Sequence, residues 1–361
     1  MKNKLSYVIS CLILGATLSG CVKDEMPNIE VDITGVSSQA DDILSVSINI
    51  NAEIIDIYAA PGTDLADMRL TYTLSDGAKI TPDPAEVTDY TAPRQFTVIS
   101  EDSKWHKTYT VTVRFSNLPT TYGFDNWKQP ERARYKIPYE TSDGYGNPAE
   151  LNIWACGNDA YSFLTNKNDD FTAFPTQPTT ESYAGAAAAK LVTRLTGQID
   201  RPIAAGNLFI GVFDSSMREP KESTQFGLPF MSRPDRFKGK FKYRSGGLTL
   251  ASRQPDHCKI QAVLYRTDNG VEHLNGFTIK NSPAIVARAE LDEAAAVDTP
   301  GESFASFDIP FVYTADIDPT LLRAGGYNLA VIFSSSRDGD VYDGAPESTL
   351  VVDEVEITLY D

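Results

Sequence analysis

The sequence predicts an all-β protein of two domains: an N-terminal Ig-like β-sandwich, then a larger jelly-roll β-sandwich. Three observations carry that expectation. Apolar and polar residues alternate with period two in many short runs, and turn residues break those runs every ~8–12 residues. The chain is rich in turn formers and ring side chains, with 24 Gly, 21 Pro, 17 Tyr and 17 Phe. Its 361 residues are about two domains' worth. A hydrophobic fraction of 42% with 22% charged residues excludes wholesale disorder. The net charge of -17 makes nucleic acid and anionic lipid poor partners, because each phosphate contact needs local positive charge.

Residues 1–20 read as an address. Lys2 and Lys4 precede an apolar run from Leu5 to Leu18. That run is shorter than the ~20 residues of a membrane-spanning helix and fits a secretory signal. It ends Leu18-Ser19-Gly20-Cys21, which resembles the bacterial lipoprotein box. The resemblance implies cleavage before Cys21 and acylation of that residue; the competing reading is an ordinary signal with an incidental cysteine. Acyl chains contribute ~0.8 kcal/mol per buried methylene, and more than one chain anchors stably. Residues 21–28 form a tether. Its Lys23-Asp24-Glu25 resembles the surface-export signal of lipoproteins from gut Gram-negative bacteria, which implies an outer-membrane, surface-exposed location. A plain solvated tether is the alternative.

Residues 29–116 alternate as a small sandwich does. Leu44, Val46 and Ile48 share one face, as do Leu70, Tyr72 and Leu74, and later Tyr109, Val111, Val113 and Phe115. The stretch from Leu74-Ser75-Asp76-Gly77 through Pro82, Phe96-Thr97-Val98 and Trp105 to Val113 resembles bacterial Ig-like spacer domains. Trp105 is expected to be a packed surface or core aromatic. Residues 117–121 are a short linker that Pro119 holds extended.

Residues 122–361 carry the larger sandwich. Strands are expected at Leu151–Cys156, Ala189–Thr196, Leu208–Phe213, Lys238–Arg244, Cys258–Arg266, Phe304–Val312, Tyr327–Ser334 and Thr349–Tyr360. Ala184–Lys190 and Arg288–Ala296 are strong helix formers by composition. The first runs into the alternating Leu191–Thr196 and reads as a strand entered through small residues. The second reads as a strand ending near Leu291, then a loop. Cys156 and Cys258 lie in apolar, strand-like text and are expected as buried free thiols, although export permits a disulfide.

This second region resembles a carbohydrate-metabolism domain of gut-bacterial lipoproteins. The matching text includes Gly123-Phe124-Asp125-Asn126-Trp127, Trp154 with Gly157-Asn158, Ile203 to Phe209, Gly227-Leu228-Pro229-Phe230 and Gly239 to Tyr243. It closes with Ser334-Ser335-Ser336, Gly339-Asp340, Gly344 and Leu350 to Val355. The resemblance implies a jelly roll similar to carbohydrate-binding modules and lectin-like glucanases. Lys240-Phe241 and Pro346-Glu347 depart from the pattern, so ligand preference does not carry over.

Sugar recognition needs flat aromatic faces and hydrogen-bonding side chains. Trp154, Tyr243, Tyr342 and Trp127 are the candidate platforms, with Asn158 as a polar partner. Ile153 and Trp154 should face opposite sides of one strand; with Ile153 in the core, Trp154 faces the groove, unless it caps the second layer. Trp127 reads foremost as core. Jelly-roll modules often hold a structural Ca²⁺ between an acid near the first strand and an aspartate in the last, and Asp125 and Asp353 occupy those places. No other cofactor is expected. Glu140, Glu150, Asp308 and Glu356 are strand-borne carboxylates, but nothing marks two of them as a glycosidase pair. Ser335, Asp338 and His273 lack a nucleophile elbow and make no triad. The sequence therefore predicts an envelope lipoprotein that binds an oligo- or polysaccharide, in a surface glycan-uptake complex. A glycoside hydrolase on the same jelly roll, or an adhesin or structural surface subunit, is the alternative.

Overall fold

The computed structural model describes residues 28–360, apart from 39, 41, 61–62, 116–117, 132, 143–148, 166–169, 218, 269 and 301–302. The signal region and Cys21 lie outside the described residues. Strands make up 43% of the chain and helix 9%. Among the described residues no helix is long and apolar enough to cross a membrane.

In the N-terminal sandwich, Ile43–Asn49, Ile54–Ala59, His106–Phe115, Arg94–Ile99 and Lys79–Thr81 form one sheet in that order. Ile54–Ala59 runs parallel to His106–Phe115. Ile33–Ser38 and Leu70–Leu74 form the facing pair. Between them lie Ile33, Ile55, Ile57, Phe96, Tyr109 and Val111. Tyr109, Val111 and Val113 turn inward, as their alternation predicts. Leu44 departs from its expected row. The register shifts between Ile43 and Ser45, and Leu44 instead packs on Gly325 of the second domain. A bulge of this kind re-aims a side chain. Trp105 lies on the surface, not in the core.

The larger domain stacks two antiparallel sheets. One orders Trp154–Ala155, Asn207–Phe213, Tyr327–Ser334, Lys259–Arg266, Ile285–Glu290 and Val312–Tyr313, with Thr224–Phe226 and Leu228–Pro229 added beside it. The other orders Thr176–Thr179, Ala188–Val192, Thr349–Leu359, Pro234–Arg244 and Ala305–Pro310. Thr121–Tyr122, just past Pro119, also pairs with Thr349–Leu359 and brings the incoming chain onto this sheet. The core between the sheets includes Leu208, Ile260, Leu264, Val331, Phe333 and Val352. Burying each such side chain contributes ~1.5–3 kcal/mol. Both helix-prone segments resolve as strand: Ala188–Val192 pairs with Thr349–Leu359, and Ile285–Glu290 ends before a turn. Ala188, Ala189, Ala287 and Ala289 are all buried, so sheet packing of small residues overrides their local helix preference. Cys156 and Cys258 are buried free thiols.

The domains pack against each other. Tyr58 belongs to the core cluster of the larger domain. Arg114 bonds Asp56 within its own domain and the backbone carbonyl of Glu150 across the joint. Asn51 Nδ2 reaches Asp159 Oδ2 at 2.6 Å and Ser215 Oγ at 3.3 Å.

Candidate functional site

The eight-stranded sheet has two different faces. Along Lys259–Arg266, Ile260, Ala262 and Leu264 enter the core, while Lys259 and Gln261 point away from it. Along Tyr327–Ser334, Ile332 and Ser334 do the same. Phe226, Leu274 and Ile279 cover part of this outer face by packing on Val263, Tyr265 and Ala330. What they leave open is a cleft of about 500 Å³, within the ~300–1,000 Å³ of small-molecule sites. Phe209, Lys259, Gln261, Ile332 and Ser334 form its floor. Its walls come from residues 160–164, 201–205, 215–217, 220–224, 276–280 and 339–342.

Two aromatic rings flank the opening. Phe163 is 83% exposed. Tyr342 is half-buried, with the Arg201 guanidinium 5.6 Å from its ring centroid. Tyr342 has φ 59°, left-handed backbone that costs a non-glycine residue ~1–3 kcal/mol. The surrounding loop holds it there. Asp343 accepts the N–H groups of Ala251 and Ser252 at 2.9 and 3.0 Å. Asp256 Oδ2 accepts from Ser336 Oγ, Ser348 Oγ and the Ala345 N–H at 2.6, 2.7 and 2.8 Å. Burial nonetheless raises the Asp256 pKa. At the far wall, Lys221 and Lys280 share Asp340 at 3.5 and 3.1 Å. Burial holds the Lys259 ammonium below the ordinary lysine pKa.

Of the sequence candidates, only Tyr342 lies in this cleft. Trp154 is 3% exposed and packs on Tyr122, Phe124 and Phe333, with ring centroids 5.3, 5.1 and 6.2 Å away. Its Nε1 donates to Glu140 Oε1 at 2.9 Å. The groove assignment for Trp154 is therefore wrong, and the reason is local. The chain pairs at Ala149–Leu151 and again at Trp154–Ala155, but not between, so strict alternation fails and both Ile153 and Trp154 are core. Tyr243 is also core, at 1% exposure, because period two places it on the inner row with Phe237 and Phe241. Trp127 is partly buried against the core and donates to the Phe124 carbonyl at 2.8 Å. Asn158 is a buried clamp, donating to Thr176 O at 2.7 Å and accepting from its N–H at 3.1 Å. None of these four lines the cleft.

Asp125 and Asp353 do meet at one turn, at residues 183–187. Asp353 Oδ2 accepts the N–H groups of Tyr183 and Ala184, and Asp125 Oδ1 those of Ala186 and Ala187. Four backbone N–H groups thus point at one oxygen of each carboxylate. Among the described residues no group of three metal-ligating side chains converges. In this arrangement the pair fastens a turn.

The candidate carboxylates are dispersed. Glu140 is buried, and desolvation, with a smaller contribution from the Asp125 charge, pushes its pKa up to about 7 against the pull of the Trp154 hydrogen bond. Glu150 pairs with Lys128 and Asp308 with Arg236, while Glu356 is exposed. None lines the cleft. Ser335 is fully buried, with its Oγ 2.8 Å from Thr193 Oγ1, so it is no nucleophile. Sequence reasoning missed Phe163, Arg201, Lys221, Lys259 and Lys280. For Lys259 a signal was present: a lysine in alternation with Ile260 and Ala262 must project from the sheet.

A family model described as "Putative carbohydrate metabolism domain" matches residues 123–358. The chain belongs to this family. A second model, the N-terminal domain of SGBP (surface glycan-binding protein), matches residues 35–113. A crystal structure from Bacteroides thetaiotaomicron, described as a putative glycoside hydrolase, is 34% identical with a TM-score of 0.83. The match covers 94% of this chain and 99% of that one. Another putative glycoside hydrolase, from Bacteroides vulgatus, is 31% identical with a TM-score of 0.60, over 68% of this chain and 99% of that one. No curated protein matches the chain. Domain family and structural neighbours agree on a carbohydrate-related role.

Proposed function

We propose that the protein is a surface lipoprotein of the cell envelope that binds glycan in the cleft on the outer face of the eight-stranded sheet. The carrying observation is the cleft's composition: exposed Phe163 and half-buried Tyr342 stand beside a floor that carries Lys259, Gln261 and Ser334, in a volume that suits a short stretch of sugar. An aromatic ring offers an apolar face to a pyranose, and the polar floor bonds its hydroxyls. The family, the SGBP-type first domain and the lipoprotein box at Cys21 support the same reading.

Binding is preferred to hydrolysis on one observation. A glycosidase needs two carboxylates, ~5–5.5 Å apart for retention or ~6.5–9.5 Å for inversion. Among the described residues that line the cleft, Asp340 is the sole carboxylate, and it is held by two lysines.

The test is a glycan array with the purified protein, alongside a reducing-end assay on plant and mucin polysaccharides. Binding without release of reducing ends is expected. Release that one carboxylate-to-amide change abolishes would establish the hydrolase instead. In cells, Cys21→Ala should move the protein out of the membrane fraction. An unmodified Cys21 on a soluble wild-type protein would remove the anchor from the account.

A further inference from the structure

The cleft is a basic patch on an acidic protein. The chain carries a net charge of -17. Yet Arg201, Lys221, Lys259, Lys280 and Arg337 line the cleft against Asp340 alone. Carboxylates outside the lining offset part of this: Asp200 stands 3.9 Å from Arg201, and Glu290 3.8 Å from Arg337. Lys221 and Lys280 share one aspartate between them. Lys259 is different. It sits half-buried on the floor, and among the described residues no carboxylate lies within 4.0 Å of it.

We propose, resting on the glycan-binding reading above, that the cleft selects an acidic glycan and seats the sugar's carboxylate or sulfate on Lys259. Lysine and arginine only donate hydrogen bonds, and they supply five of the six charged side chains in the lining. An anion on the sugar supplies the acceptor oxygens and the missing countercharge together. Burial holds the Lys259 ammonium below its ordinary pKa, with Lys280 and Arg337 adding like-charge repulsion against the opposing pull of Glu290 and Asp340. A bound anion relieves both the desolvation and the repulsion. Lys280, more exposed, guides the anion in, and Tyr342 and Phe163 are left to hold the sugar ring. Attraction in a patch like this also favours acidic over neutral chains during approach, against the repulsion of the protein as a whole.

The test measures affinity of the purified full-length protein for two matched pairs: polygalacturonate against its methyl ester, and dextran sulfate against dextran. The first pair reads the carboxylate and the second the sulfate. At least one acidic member should bind about tenfold tighter than its neutral counterpart, and rising salt should weaken it. Lys259→Gln should remove about tenfold of that affinity without lowering the melting temperature, and Lys280→Gln should remove less. Equal binding of the acidic and neutral members would overturn the acidic specificity while leaving the glycan reading intact. Acidic binding that Lys259→Gln and Lys280→Gln both leave unchanged would also overturn it, because the anion would then sit elsewhere. Failure to bind any of the four overturns the proposal, and a blank glycan array would take the glycan reading with it.

Discussion

The inner and outer faces of the eight-stranded sheet are built from the same strands and do opposite work. In Tyr327–Ser334, Tyr327, Leu329, Val331 and Phe333 enter the core, while Ile332 and Ser334 floor the cleft. The inner face buries many large rings, including Trp154 and Phe333. The outer face takes Lys259, Gln261 and Ser334 beside the packed Phe209, and its more exposed rings, Phe163 and Tyr342, come from the walls. A large aromatic side chain is therefore weak evidence for a ligand platform in this fold. A packed core competes for it, and the core gains more from a ring it can bury completely.

Mutations on the two faces should separate cleanly. Trp154→Ala removes a ring held by three aromatic neighbours and leaves Glu140 without its donor. It should cost roughly 3–5 kcal/mol in urea unfolding. A loss below ~1 kcal/mol would show that Trp154 is not the core residue described above.

The next effect comes from Glu140. Its folded pKa is raised from 4.5 to about 7, so the folded state holds the proton more tightly than the unfolded state. Stability from this group is fully present below pH ~4.5 and is lost as pH rises through about 7. The change is on the order of 3 kcal/mol. Glu140→Gln keeps an acceptor for Trp154 Nε1 and has no proton to lose. The difference in stability between variant and wild type should therefore shift in the variant's favour between pH 5 and pH 8. A pH-independent difference would contradict the buried-acid assignment.

The smallest of these effects belongs to the turn at residues 183–187. Asp353→Asn weakens two charge-assisted bonds to backbone N–H groups and should cost about 1–2 kcal/mol. Chelator and millimolar Ca²⁺ should give the same melting curve. Stabilisation by Ca²⁺ that Asp125→Asn abolishes would restore the metal reading.

Much of the fold was legible because alternation and turn residues act locally. Tyr327–Ser334 and Asn207–Phe213 lie close to where the pattern places them. The site was far less legible, for a physical reason. Its floor comes from three strands that are distant in sequence, and its walls come from loops whose packing no local pattern encodes. Tyr342 was found through its residue type, and Lys259 was legible only as an outward position. Trp154 misled because two unpaired residues before it broke the alternation that would have turned it outward.

The most direct test of this account compares one variant from each face against the polysaccharide that binds best. Tyr342→Ala alters the cleft, and Trp154→Phe alters the core while keeping a ring there. Titration calorimetry should show Kd for Tyr342→Ala weakened about thirtyfold, the equivalent of a ~2 kcal/mol anchor. Trp154→Phe should leave Kd unchanged and lower only the melting temperature. The reverse result, with Kd lost in Trp154→Phe and kept in Tyr342→Ala, would contradict the placement of the glycan on the outer face.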